Sequence, residues 1–310
     1  MLTAVVGINW GDEGKGRMVD LFSAEHEIVV RYQGGNNAGH TVVNERGKFV
    51  LNLLPSGILR PGTVNVLGPG MVLDLEHLTN EVAHIREQGV AITPEHLKIS
   101  DRATICMPYH KMMDILEEDR LADKKFGSTR RGPVYADKYM KKTLRTGDLL
   151  FPDKLREKLA DLVEWKNITV QGYGHEPVSV DEMYAWLEKY AFPWREYLCN
   201  TTEYLSAQAD AGKSILFEAQ LGALRDIDFG IYPYTSSSST IAAYAPIGAG
   251  IPARRLDSVV GIMKAYSSCV GEGPFVCELF GEKGDRLREA GADIWPAYFA
   301  GHSLGEYNAL

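Results

Sequence analysis

Leu2-Thr-Ala-Val-Val-Gly-Ile8, followed almost at once by Gly11-Asp-Glu-Gly-Lys-Gly16, decides the fold class of this 310-residue chain. The first segment is a short apolar run rich in β-branched residues, which suits a parallel strand covered on both faces. The second is a glycine-rich turn. Residues 17–24 then repeat helically, with Met18, Leu21 and Phe22 expected on one face. Residues 27–32 form the next apolar run. Strand, glycine-rich turn, helix and strand are how an α/β protein opens.

The rest of the chain extends that pattern. Residues 41–43 and 48–53 flank Asn44-Glu-Arg-Gly47 and predict a hairpin. Residues 64–67 predict a short strand. Asp74 can cap a helix running to about Gln88 and ended by Gly89. Helical patterns recur near 109–122, 153–165 and 181–210, the last interrupted at Pro193. Residues 214–217 and 258–263 read as buried strands. No internal repeat is found, and the serine run 236–239 is too short for a linker. The expectation is one α/β domain with a helical insertion around 105–210.

Composition narrows the function. Hydrophobic residues are 45% and charged residues 24%, which excludes a disordered chain or a collagen-like fibre. A net charge of −8 makes a poor general nucleic-acid binder, so no nucleic-acid partner is expected. No apolar run is long enough to span a bilayer, and the first basic residue is Lys15, so neither a membrane nor export is expected. Cys106, Cys199, Cys269 and Cys277 follow no pairing pattern, which fits reduced thiols in a cytoplasmic protein.

A turn between strand and helix offers backbone N–H groups and the positive helix end to an anion. Here it also carries Lys15, a mobile positive charge, and Asp12, a hard oxygen ligand for Mg²⁺. It departs from the common phosphate loop, which has glycine where Asn9 stands and Ser or Thr where Gly16 follows the lysine. The plain alternative is a tight turn with a solvated lysine and aspartate. A second constellation, Gln33-Gly-Gly-Asn-Asn-Ala-Gly-His-Thr41, follows the next strand. Ligands gather at strand carboxyl ends in open α/β sheets, where both loops would lie. His40 could serve as general acid and Asp12 as general base, although a lone loop histidine is otherwise a surface residue. Residues 124–145 hold eight basic residues and one acidic residue, Asp137, which marks either a phosphate-facing surface or a solvated basic loop.

The string Gly7-Ile-Asn-Trp-Gly-Asp-Glu-Gly-Lys-Gly16 with Arg31-Tyr-Gln-Gly-Gly-Asn-Asn-Ala-Gly-His-Thr41 resembles the adenylosuccinate synthetase family. Leu54-Pro-Ser-Gly-Ile58, Ile99-Ser-Asp-Arg102, Pro108-Tyr-His110 and Asp226-Ile-Asp228 continue the resemblance in order. Tyr232-Pro233, Thr235-Ser-Ser237, Lys264-Ala-Tyr266 and Val270-Gly-Glu-Gly-Pro-Phe275 complete it, so that it covers residues 1 to about 290.

The resemblance implies an α/β fold with a mostly parallel central sheet and flanking helices, of P-loop-like nucleoside triphosphate hydrolase architecture. It implies a carbon–nitrogen ligase of purine biosynthesis that joins IMP to L-aspartate with GTP and Mg²⁺. Asp12 would take the N1 proton of IMP, and His40 would assist transfer of the γ-phosphoryl group to the 6-oxygen. Gly11, Asp12, Glu13, Gly14, Lys15, Gly16, Arg17, Gly39, His40 and Thr41 would surround GTP and its phosphates. Asp12, Lys15, Asn37, Ala38, Gly39, His40, Thr129, Lys141, Gln220 and Thr235 would hold IMP, and Asp12 and Gly39 the metal. In the family a basic residue crosses a homodimer interface to the partner's IMP. Lys141 stands where arginine is usual, which keeps the charge and loses the bidentate fork.

Three departures accompany the resemblance. Between Gly132 and Pro133 the chain is two residues shorter than the family's loop. Past Gly291 neither the arginine loop that clamps aspartate nor the Thr-Lys-x-Asp strand end that reads guanine occurs within these residues. The expected division is therefore a synthetase-like domain over 1–290 and a foreign tail over 291–310. In that tail, Gly301-His-Ser-Leu-Gly305 resembles the nucleophile elbow of malonyl-CoA:acyl-carrier-protein transacylases, with too few residues after Ser303 for a supporting helix. A catalytically silent nucleotide-binding protein and an acyltransferase fragment are the alternatives to a synthetase.

Overall fold

The computed structural model describes residues 1–36, 39–44, 47–121, 132–264, 267 and 273–292. In chain order the strands are β1 (Leu2–Gly7), β2 (Ile28–Arg31), β3 (His40–Asn44), β4 (Gly47–Leu51), β5 (Val64–Leu67), β6 (Val72–Leu73), β7 (Leu97–Ser100), β8 (Thr104–Ile105), β9 (Leu198–Cys199), β10 (Ile215–Gly222) and β11 (Ser258–Ile262). The helices are α1 (Lys15–Phe22), α2 (Leu75–Glu87), α3 (Pro108–Leu121), α4 (Gly132–Met140), α5 (Pro152–Gly172), α6 (Val180–Tyr190), α7 (Thr201–Asp210), α8 (Ala245–Ala249) and α9 (Glu282–Ala292). Among the described residues seven strands form one sheet in the order β11-β1-β10-β2-β5-β7-β9. Every pairing in it is parallel.

Parallel strands need helices on both faces, and β1 shows how the sequence supplies them. Leu2, Ala4 and Val6 enter one apolar cluster with Ile28, Val30 and Phe217, closed over by Leu205 of α7 and Ala245 and Ala249 of α8. Val5 points to the opposite face and joins Val29, Leu216 and Val19 of α1. Burying Val19 completely contributes roughly 1.5–3 kcal/mol relative to leaving it in water. The largest cluster spans the β3–β4 hairpin, α2, α5 and α6.

Most expected elements form, and the differences have physical causes. Helix α1 begins at Lys15, two residues before the apolar pattern starts. Its buried positions are Lys15, Gly16, Val19 and Asp20; of the expected face, Phe22 packs beside Val19 against the sheet, whereas Leu21 is exposed. Gly16 brings the helix against His40 of β3, a contact that no apolar-periodicity argument weighs. Asp74 caps α2 by accepting the His77 N–H at 3.2 Å, and Gly89 follows it at φ 84°. Strand β11, expected to be buried, lies at the sheet edge with Val259 half exposed. The helical pattern expected over 181–210 divides into α6 and α7, because Leu198–Cys199 between them returns as β9 to pair with β7. The boundary at 290 falls inside α9, and the tail with its Ser303 lies outside the described residues from 293 onward.

Candidate functional site

The carboxyl ends of β1, β2 and β10 meet at one edge of the sheet, in the register Val5 opposite Glu218 and Glu218 opposite Arg31. The turn after β1 turns back on itself because Gly11, Asp12 and Gly14 all have positive φ, 105°, 58° and 85°. Successive residues of this kind point their N–H groups inward, which suits an anion. Glycine accepts that conformation freely, and aspartate is among the few other residues that tolerate it. Gly14, in the N-cap position of α1 at positive φ, has no side chain to cap the helix start.

Glu13 faces inward. Its Oε1 accepts the N–H groups of Asn9 at 3.1 Å and Gly11 at 2.9 Å, and its Oε2 pairs with Lys15 Nζ at 2.5 Å. Both members of the pair are buried. A carboxylate so placed shapes the turn and holds the Lys15 ammonium. Arg17 is drawn the other way, donating to Asp20 at 3.1 Å, while Arg60 reaches the same carboxylate. Lys264, half-buried in the strand end after β11, has its ammonium pKa lowered by burial, with Asp12 and Glu13 opposing the shift.

His40 opens β3 and sits against the first turn of α1. A Cβ on Gly16 would stand 2.8 Å from the His40 Cβ, so only glycine admits the ring there. His40 Nε2 lies 3.0 Å from Glu218 Oε1. A carboxylate only accepts, so Nε2 carries the proton, and the Arg31 nitrogen 3.4 Å away is a neighbouring charge rather than a donor to that atom. Arg31 instead donates to the Asn52 carbonyl at 3.1 Å. Glu218 also accepts the N–H of Ser56 at 2.8 Å and its hydroxyl at 2.9 Å. Burial pushes the Glu218 carboxyl up, but His40, Arg31 and Ser56 outweigh it and hold it below the usual carboxylate value. Behind this group Glu81 accepts three successive N–H groups, from Asn52, Leu53 and Leu54, at 2.8, 2.9 and 3.2 Å. They fix the strand end that Gly39 touches, since a Cβ on Gly39 would come within 2.8 Å of Asn52.

The loop after β2 is tied from outside. Gln220 Oε1 accepts the Gly35 N–H at 3.0 Å and its Nε2 donates to the Gly35 carbonyl at 3.0 Å. Gln33 donates to the Gln220 carbonyl at 2.6 Å and accepts the Ser238 hydroxyl at 2.9 Å. In the loop after β10, Asp226 accepts from Asp228, Phe229, Ser239 and Thr240 at 2.7–3.1 Å. Burial raises its carboxyl, but those donors together lower it by more, and the net shift is downward.

The turn 11–16, Gly39, His40 and Gln220 thus converge on one sheet edge. Thr41 is half-buried in β3, and Thr235 is half-buried in the Asp226 loop. Lys141 is exposed just past α4 at φ 62°. Asn37, Ala38 and Thr129 lie outside the described residues. Glu218, Arg31, Glu81, Ser56 and Lys264 were not singled out as site residues in the sequence. A buried-strand pattern interrupted by a charge, as at Arg31 and Glu218, is the signal that could have flagged two of them. No group of three or more metal-ligating side chains occurs among the described residues.

The adenylosuccinate synthetase family model matches residues 4–295. The chain belongs to the adenylosuccinate synthetase family. It is 45% identical over 311 aligned residues to adenylosuccinate synthetase 2 of Pseudoalteromonas translucida, covering 99% of this chain and 73% of that protein. It is 43% identical to the adenylosuccinate synthetase of Lactococcus lactis subsp. lactis, covering 93% of this chain and 67% of that one. The fully ligated adenylosuccinate synthetase of Plasmodium falciparum superposes with a TM-score of 0.84 at 32% identity, over 93% of this chain and 68% of that one. A cyanophage S-2L succinoaminodeoxyadenylate synthetase, 22% identical with a TM-score of 0.55, shares the fold. Family membership makes this chain a ligase of purine biosynthesis that forms a carbon–nitrogen bond and uses GTP. No helix among the described residues is long and apolar enough to cross a membrane.

Proposed function

We propose that this chain joins IMP to L-aspartate through 6-phosphoryl-IMP, with GTP as phosphoryl donor, in the turn 11–16 and the loops around His40, Gln220 and Thr235. The Asp12 carboxylate takes the N1 proton of IMP, and the 6-oxygen gains the electron density to attack the γ-phosphorus of GTP. The bond to the GDP oxygen breaks as the new one forms. The aspartate amine then attacks carbon 6 and phosphate leaves. Positioning and charge neutralisation carry such a transfer.

The observation that carries this reading is the His40–Glu218 pair beside an uncapped helix start. With Nε2–H donated to Glu218, Nδ1 is the nitrogen of His40 left for a phosphoryl oxygen; it donates there only in the doubly protonated ring, whose charge Glu218 balances and whose orientation it holds. Gly11, Gly14, Gly16 and Lys15 surround the phosphates. Glu13 acts one step removed, by shaping the turn, and Arg17 acts through the helix it braces. Asn37, Ala38, Gly39, Thr129, Gln220 and Thr235 are assigned to IMP, with Gln220 acting through Gly35. The Asp12 carboxylate and Gly39 carbonyl are hard oxygen donors of the kind Mg²⁺ takes alongside substrate phosphates. When bound, the ion neutralises phosphate charge.

The reading extends to a cytoplasmic homodimer in which exposed Lys141 reaches the IMP of the partner. GDP release that requires both IMP and L-aspartate, with adenylosuccinate identified by mass, tests it. GDP release unaffected by omitting IMP would contradict it.

A further inference from the structure

Helix α4 carries a hydroxyl into the loop after β2. Tyr135 Oη accepts the Gly34 N–H at 2.9 Å and donates to the Gly70 carbonyl at 3.1 Å. The ring is buried, and burial raises the phenol pKa, so the hydroxyl keeps its proton at working pH. Only glycine fits at this position, because Gly34 has φ 83° and a Cβ there would stand 1.8 Å from Gln220 Oε1.

Helix α4 is itself anchored on its next turn. Lys138 donates to the Pro69 carbonyl at 3.0 Å. Asp137 sits between His110 and Lys166, all three buried. His110 Nδ1 accepts the Met107 N–H at 2.9 Å, so its Nε2 bears the proton and donates to Asp137 at 3.0 Å. Lys166 supplies the counter-charge to the same carboxylate. The phenol therefore ends a rigid arm rooted in α3 and α5.

We infer that Tyr135 is a positioning residue for the IMP-side loop: its hydroxyl sets the Gly34 backbone, and with Gln220 on Gly35 it fixes the start of the loop after β2. The inference rests on the reading of that loop as the IMP side. A loop set this way binds its ligand without first paying to order itself. The turn that holds GTP phosphates is braced separately by Glu13, so the effect falls on one substrate.

Tyr135→Phe removes the hydroxyl and keeps the ring. By calorimetric titration the IMP Kd rises about tenfold, as expected when a buried N–H loses its acceptor. The GTP Kd stays within about twofold of the parent. Hydrogen exchange in the unliganded chain reads the arm directly: the Gly34 amide exchanges at least about tenfold faster in the variant. Equal weakening of IMP and GTP would show a general structural role and overturn the inference. So would parent-like IMP binding with an unchanged Gly34 amide. A parent chain that binds no IMP overturns the IMP reading and this inference together, and that outcome is seen before any variant is made.

Discussion

The turn after β1 and the loop after β2 lie side by side, and the side chains that brace them stand at very different distances in sequence. Glu13 braces the first through Asn9, Gly11 and Lys15, all within a few positions of itself. The second is braced by Tyr135, Gln220 and Ser238, which are 101, 185 and 205 positions from their partners. A locally held turn can be read from spacing, because its partners are its neighbours in sequence. A loop held from afar becomes readable only when the fold has brought its partners together. The contrast also separates the effects of substitutions, since damage to one brace need not reach the other.

The largest effect belongs to the chemistry both loops serve. Asp12→Asn keeps the shape of the turn and removes the base, so IMP-dependent GDP release falls by about 10²–10⁴-fold while the melting temperature barely moves. Activity within about tenfold of the parent takes Asp12 out of the base role. Next comes the local brace. Glu13→Gln turns an amide N–H toward Lys15 and leaves a buried ammonium without its counter-charge, which costs about 3–5 kcal/mol in urea denaturation. An unchanged urea midpoint would mean that Lys15 escapes to solvent and that the pair does not hold the turn.

The same contrast explains what was legible before the structure. Strand β1, its turn, the β3–β4 hairpin, β5 and the Asp74 cap were all readable, because each is decided by residues within one or two turns of itself. Asp12 and His40 were readable as a pair only through the strand-end rule and the family resemblance. Glu218 was not singled out: a charge inside an apolar strand marks a buried ion, but its partner His40 is far away in sequence. On α1 the expected Phe22 packs beside Val19 while Leu21 faces out, and the close contact of Gly16 with His40 rests on the atom that glycine lacks. Edge and centre of a sheet share one pattern, which is why β11 was expected to be covered.

Glu218→Gln probes the distant brace where it touches chemistry. The amide keeps the volume but no longer carries the charge that orients the Nε2–H of His40. Loss of such an orienting partner lowers kcat by about 10–100-fold. IMP affinity should hold, because Gln220 and Tyr135 still fix the loop. A variant that loses IMP affinity in step with kcat would falsify the division of labour between His40 and the loop.

The smallest effect is on stability, and it isolates the loop that carries Thr235. The Asp226 carboxylate collects two backbone donors on one oxygen, and a backbone donor and a hydroxyl on the other. Its pKa lies below the ordinary 3.8 in the folded chain, so the unfolded chain binds the proton more readily. The stabilisation is therefore complete above the unfolded value and drains away as pH falls through the folded one. Asp226→Asn keeps one acceptor oxygen and turns an N–H toward donors on the other side. At pH 7 this costs about 1–3 kcal/mol, the penalty for buried donors left unpaired. In acid the parent loses its charge advantage while the amide, which does not titrate, keeps its own stability, so the gap narrows. Glu218 titrates in the same acid range in both proteins and cancels from their difference. Thermal melts of parent and variant from pH 7 down to pH 3 read the gap directly. A gap that stays constant over that range would show that shape, rather than charge, holds the loop.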